Sequence, residues 1–226
     1  MQPEESPREL ARAESERGEV VLRERPGDVR VLELRVNGVF VMDTLETSTE
    51  RALAGHALEL VATPRRVLLG GLGLGFTAHE VLADPRVERV LAVEIEPALI
   101  GWMRDGTVPH GPLFLADERL AVTQADVAMA VAEAAPASYD LVLLDIDNGP
   151  GYLVHDANAA VYREPFLTAC REALAPGGAV VIWSADAAPE LESVMRSVFG
   201  EARSLAHDVD LQGRTEQYWL LVGRVR

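Results

Sequence analysis

Two carboxylates and an amide crowd into Asp145-Ile146-Asp147-Asn148, and Gly149-Pro150-Gly151-Tyr152 follows directly. Carboxylates so placed suit a cationic amine, and one of them can accept the amine's proton as it attacks. Asp145 is read as the anchor of such an acceptor, Asp147 as its proton acceptor and Asn148 as a third polar partner. A second segment, Gly70-Gly71-Leu72-Gly73-Leu74-Gly75, has glycines where a backbone must turn tightly and approach a ligand closely. A third group is Glu94, which ends the apolar run Val90–Val93. A carboxylate there can accept both hydroxyls of a ribose, at roughly 1.5–3 kcal/mol per charge-assisted bond. Asp126 follows another apolar run. It can take an adenine amino group or cap the helix starting at Val127, and both readings stand.

Such groups work only at the ends of strands, so the surrounding pattern decides what they are. From Arg66 onward, short apolar runs alternate with helical stretches. The runs are Val67–Leu69, Val90–Val93, Leu120–Thr123, Leu141–Leu144, Ala179–Trp183 and Tyr218–Val222. Unbroken rather than alternating apolar runs mean strands buried on both faces. The expected fold is α/β: a doubly wound, Rossmann-like, mainly parallel seven-stranded sheet with a reversed last strand. Ahead of it, Val20–Arg25, Val29–Val36 and Val39–Met42 read as strands, with Asn37-Gly38 as a hairpin turn. Thr47-Ser48-Thr49-Glu50 reads as a capping box opening a helix to about Val61, and Pro176-Gly177-Gly178 as a turn. The expected domains are a charged flexible tail over 1–17, helical at most over Glu9–Arg17, a small antiparallel β-hairpin domain over 18–46, and the main domain over 47–226.

The net charge is −15, from 21 basic and 36 acidic residues among 226. That charge disfavours nucleic acid and anionic lipid as partners. All the basic residues are arginines, which excludes a lysine Schiff base and a P-loop lysine. The lone Cys170 excludes an internal disulfide and a CxxC zinc site. Asp145, Asp147 and Asn148 are oxygen donors of the kind Mg²⁺ takes, but no second donor cluster accompanies them, so no metal is expected. Met1 to Glu19 lacks the apolar core of a signal peptide, and no apolar run reaches membrane-spanning length. A cytoplasmic protein is expected. The span Ile146–Asn158 reads as a mobile lid, because Gly149, Pro150 and Gly151 interrupt regular structure. Trp183, at the next strand's end, either walls an acceptor pocket or packs as a core indole.

The domain resembles the class I S-adenosylmethionine-dependent transferase fold. More narrowly, from about Val20 to Val222 it resembles the spermidine synthase (polyamine aminopropyltransferase) family. The resemblance is carried by Val36–Asp43, the helix with Glu50 and His56, the glycine loop, Val93-Glu94-Ile95-Glu96-Pro97, Tyr139–Asp145 and Leu174–Gly178. It implies a cofactor, S-adenosylmethionine or its decarboxylated form, bound by Gly71, Gly73, Gly75, Glu94 and Asp126. It also implies a small amine acceptor near Asp145. It leaves a homodimer open.

Two departures bear on the reaction. The family usually has an Asp where Gly73 stands, and its Asp-x-x-Asp loop has Asn148 in the second place here. Asn cannot act as a base. Without the loop Asp, intact S-adenosylmethionine is expected to bind at least as tightly as the decarboxylated form, unless Glu46 or Glu50 supplies a nearby carboxylate. Alkyl transfer to an amine is the main expectation. Methyl transfer to a small molecule, or a nucleoside-binding protein with reduced catalysis, are the alternatives.

Overall fold

The computed structural model describes residues 6–211 and 214–226, without the side chains of 210, 211 and 214. Among these residues, strands β1 (Arg8–Ser15), β2 (Gly18–Arg25), β3 (Val31–Val36) and β4 (Val39–Asp43) form an antiparallel sheet in that order. A second, seven-stranded sheet is built from β5 (Arg66–Gly70), β6 (Arg89–Glu94), β7 (Leu120–Gln124), β8 (Tyr139–Leu144), β9 (Leu174–Ser184), β10 (Ala202–Leu211) and β11 (Arg214–Arg224). Its order is β10-β11-β9-β8-β5-β6-β7. The pairs β7–β6, β6–β5, β5–β8 and β8–β9 are parallel. The last strand, β11, runs antiparallel to both its neighbours.

Burial explains the order. Val67, Leu68, Leu69, Leu141, Val142 and Leu143 are wholly buried, so β5 and β8 form the centre, covered on both faces. Helices α1 (Ser48–Leu60), α2 (Phe76–Ala83) and α3 (Pro97–Asp105) belong to one layer. Helices α5 (Val127–Ala132), α6 (Glu164–Ala173) and α7 (Pro189–Phe199) belong to the other. A short α4 (Gly111–Phe114) follows α3. No described helix is long and apolar enough to cross a membrane.

The expected tail is corrected where it is described. Residues 8–15 are a strand, and the small domain begins there rather than at 18. The charge that suggests a solvated tail is consumed in cross-strand pairs, Arg8 with Glu24 and Arg12 with Glu19, while Leu10 and Ala11 pack on the core. Residues 1–5 of that tail lie outside the described residues. The seventh strand, which no apolar run marked, is β10, and its hairpin pairing with β11 makes it. Pro176-Gly177-Gly178 is a bulge within β9, where pairing with β8 jumps from Leu174 to Ala179.

Candidate active site

A cavity of about 240 Å³ lies at the carboxyl ends of β5, β6 and β8, with residues Phe40–Asp43 of β4 on its other wall. Gly71, Gly73, Glu94, Asp126, Asp145, Asp147 and Asn148 all line it. The structure therefore brings the expected cofactor and acceptor residues to one place, except Gly75. Gly75 instead caps α2 at φ +87° and packs against Met103 and Phe114.

The glycine loop is held by close backbone approach. Gly71 has φ +90°, and a Cβ on it would meet the Asp145 carbonyl oxygen at 2.1 Å. Only glycine lets the loop cross the ends of β6 and β8, where Gly71 N–H donates to Val93 and Asp145 N–H to Gly70. Glu94 braces it from below. Its carboxylate accepts the N–H of Leu72 (2.9 Å) and of Glu96 (2.9 Å). Burial pushes the Glu94 carboxyl above its ordinary range, and those N–H bonds pull it back. Asp126 is an N-cap, accepting from Ala128 N–H at 2.8 Å. The capping reading thus holds, and the residue is exposed at the cavity rim.

At Gly73 the backbone turns at φ +51°. A Cβ there would lie 2.8 Å from the Met42 sulfur, which also receives the Leu74 N–H at 3.3 Å. A thioether from β4 therefore occupies the side-chain space at this position.

Asp145 and Asp147 have different environments. Asp145 is half-buried at the cavity wall, with Thr77 Oγ1 donating to it at 3.0 Å. Burial raises its carboxyl above the usual aspartate range. Asp147 was expected to take the proton, and its geometry corrects this. It accepts from the N–H of Asn148 (2.8 Å) and Val154 (2.8 Å) and from Asn158 Nδ2 (2.6 Å). Those three donors make it the brace of the 147–158 loop. Asn148 is half-buried, and its carbonyl accepts Ala185 N–H.

The loop expected to be a mobile lid carries a contact to the small sheet. Arg17, in the β1–β2 turn, donates to Asn158 Oδ1 at 2.8 Å and lies 3.8 Å from Glu96. Arg17→Ala should therefore speed proteolytic cleavage within Gly149–His155, measured against the parent protein by mass spectrometry of early fragments. Equal cleavage rates would mean that Asp147 alone holds the loop.

Glu50, expected in a helix cap and as a candidate carboxylate near the donor, lies on the cavity wall together with Glu46. Thr47 makes no capping bond through its side chain, so the expected capping box does not form. Glu50, buried, instead turns to the cavity and accepts from Thr49 Oγ1 at 2.8 Å. Burial and then the charge of Asp145 raise its carboxyl. The Thr-x-x-Glu spacing alone does not decide this, because a cap accounts for the same residues. Trp183 lines the cavity beside Tyr218, with ring centres 5.1 Å apart, and its buried indole N–H has no acceptor among the described residues.

The cavity wall carries Asp43, Glu46, Glu50, Glu94, Glu96, Asp126, Asp145 and Asp147, against Arg17 and His155 as its basic groups among the described residues. Such a wall favours a cation.

Known proteins share this fold. The spermidine synthase of Thermotoga maritima superposes with a TM-score of 0.81 at 19% identity, covering 96% of this chain and 72% of that one. A spermidine synthase in complex with the transition-state analogue AdoDATO superposes equally well, at 20% identity, covering 96% of this chain and 73% of that one. These likenesses establish the fold. In sequence, putrescine N-methyltransferase 3 of Nicotiana tabacum is 30% identical over 122 residues, 53% of this chain and 30% of that protein. Polyamine aminopropyltransferase 2 of Pseudomonas aeruginosa is 30% identical over 152 residues, 62% of this chain and 41% of that protein. The chain thus spans well under half the length of these relatives. The family model for the spermine/spermidine synthase domain matches residues 46–210. That span runs from the approach to α1 into β10 and takes in Glu50, the glycine loop, Glu94 and Asp145, so this chain belongs to the spermine/spermidine synthase family.

Proposed function

We propose that this protein transfers an aliphatic group from the sulfonium of an adenosyl nucleoside to a primary amine of a small di- or polyamine. One observation carries the reading: a single cavity joins the Gly71–Gly73–Glu94 cradle to the acidic wall of Asp145 and Glu50. The cradle suits a nucleoside, with the Glu94 carboxylate for ribose hydroxyls and Asp126 at the rim for the base. The acidic wall suits an ammonium. The reaction is an in-line displacement at the carbon beside sulfur. Positioning supplies most of its rate, because a sulfonium is already a good leaving group. Asp145 holds the amine, and Trp183 and Tyr218 wall its aliphatic chain. Aminopropyl transfer from the decarboxylated nucleoside is the first reading, in line with the family and with the two-carboxylate wall. Methyl transfer from intact S-adenosylmethionine is the second, favoured by Gly73 and by the Met42 sulfur that fills its side-chain space. Incubation with putrescine and each donor in turn, with products identified by mass, tests both. No alkylated amine with either donor would refute the proposal.

The cradle makes its own prediction. Glu94→Ala should weaken methylthioadenosine binding by about 100-fold or more, because two charge-assisted bonds of roughly 1.5–3 kcal/mol each are lost. Calorimetry measures it, with circular dichroism to check the fold. Equal affinity in variant and parent would remove Glu94 from the site.

A further inference from the structure

Resting on that reading, the structure assigns Glu50, on the first turn of α1, as the group that takes the proton from the attacking amine. Asn148 has no basic oxygen to offer, and Asp147 is engaged by three loop donors. Glu50 shares the cavity wall with Asp145. Each carboxylate is steadied by one hydroxyl, Thr49 Oγ1 on Glu50 Oε2 and Thr77 Oγ1 on Asp145 Oδ2. Among the described residues neither pairs with an arginine or histidine. The two carboxylates therefore face an incoming ammonium without a resident counter-ion.

Arg17 and His155 line the same cavity but pair with neither carboxylate, and the groups that act electrostatically on this region are acidic or phenolic. Glu46 precedes α1, Asp43 ends β4, Tyr218 is on β11, and Tyr162 is at the end of the 3₁₀ helix Asp156–Tyr162. Burial raises both carboxyls above their ordinary values, and the charge of Asp145 raises Glu50 further. A base for an amine is most effective when it titrates near the working pH.

The step balances as follows. An ammonium proton passes to the Glu50 carboxylate, leaving a nitrogen lone pair. That pair forms the N–C bond while the C–S pair returns to sulfur, giving a neutral thioether. The product is a secondary ammonium, and Glu50 releases its proton to water. Asp145 keeps the amine in line throughout.

Glu50→Gln tests the assignment. It is expected to lower kcat by about 10²–10⁴-fold at pH 7, the usual contribution of a general base. Its activity should then climb about tenfold per pH unit as free amine replaces ammonium. Glu50→Asp should recover part of the loss. Thr49→Val, which removes the donor to Glu50, should move the acid limb of the kcat profile to higher pH. Folding is not the expected obstacle. A carboxyl whose pKa is raised in the folded state stabilises the fold in acid and weighs against it as pH rises, so the neutral variant should melt no lower than the parent at pH 8. A Glu50→Gln protein with kcat within threefold of the parent and an unchanged profile would overturn the assignment alone. A parent protein that alkylates no amine would overturn the functional reading beneath it.

Discussion

Asp145→Asn is expected to lose about a thousandfold in kcat/KM for the amine while its affinity for methylthioadenosine stays close to that of the parent. Removing one charge of a buried, hydrogen-bonded pair with an ammonium costs about 2–5 kcal/mol, and each 1.4 kcal/mol is about tenfold. The asparagine keeps the side-chain shape and can still accept from Thr77 Oγ1. The backbone bond from Asp145 N–H to Gly70 is untouched. Loop geometry should therefore survive, and the loss should fall on the amine alone. Steady-state kinetics with varied amine, beside calorimetry with the nucleoside, separates the two. More than a tenth of parental activity in the variant would show that the amine is anchored elsewhere on the wall.

The second large effect concerns the choice of donor. Placing a carboxylate at position 73 should shift relative affinity towards the decarboxylated nucleoside by roughly a thousandfold. Two like charges about 4 Å apart repel by on the order of 4 kcal/mol at an effective dielectric near 20. The substitution needs room, because a Cβ at Gly73 would meet the Met42 sulfur at 2.8 Å. Gly73→Asp with Met42→Ala supplies it, and Asp is among the residues that tolerate a left-handed backbone. The parent, with no charge at 73, should bind intact S-adenosylmethionine at least as tightly as the decarboxylated form. Direct competition measures both proteins. A parent that prefers the decarboxylated donor more than tenfold would mean that Glu50 and Glu46 already supply the repulsion, leaving aminopropyl transfer as the sole reading.

Much of this protein is written locally. Buried strands such as Val67–Leu69 and Leu141–Leu144 must be continuous apolar runs, because helices cover both faces of the sheet. Their order with the intervening helices then dictates a doubly wound sheet. The acidic residue that ends β6 and the polar cluster after β8 stand at strand ends, where such sheets bind ligands, so their proximity follows from chain order.

Other features depended on partners distant in sequence. Half of strand β1 is charged residues that gain their role only opposite β2, and β10 is a strand only because β11 pairs with it. Asp147 and Asp145 are alike in sequence, but three donors from the folded loop occupy one, and the cavity opens on the other. Glu50 fits a helix cap by spacing. Its exclusion from that cap and its place beside Asp145, 95 residues further along, follow from how α1 packs against the sheet. Spacing reports which groups a segment can offer. Which of them meet a ligand depends on desolvation and on donors brought in by other segments, and only the folded chain sets those.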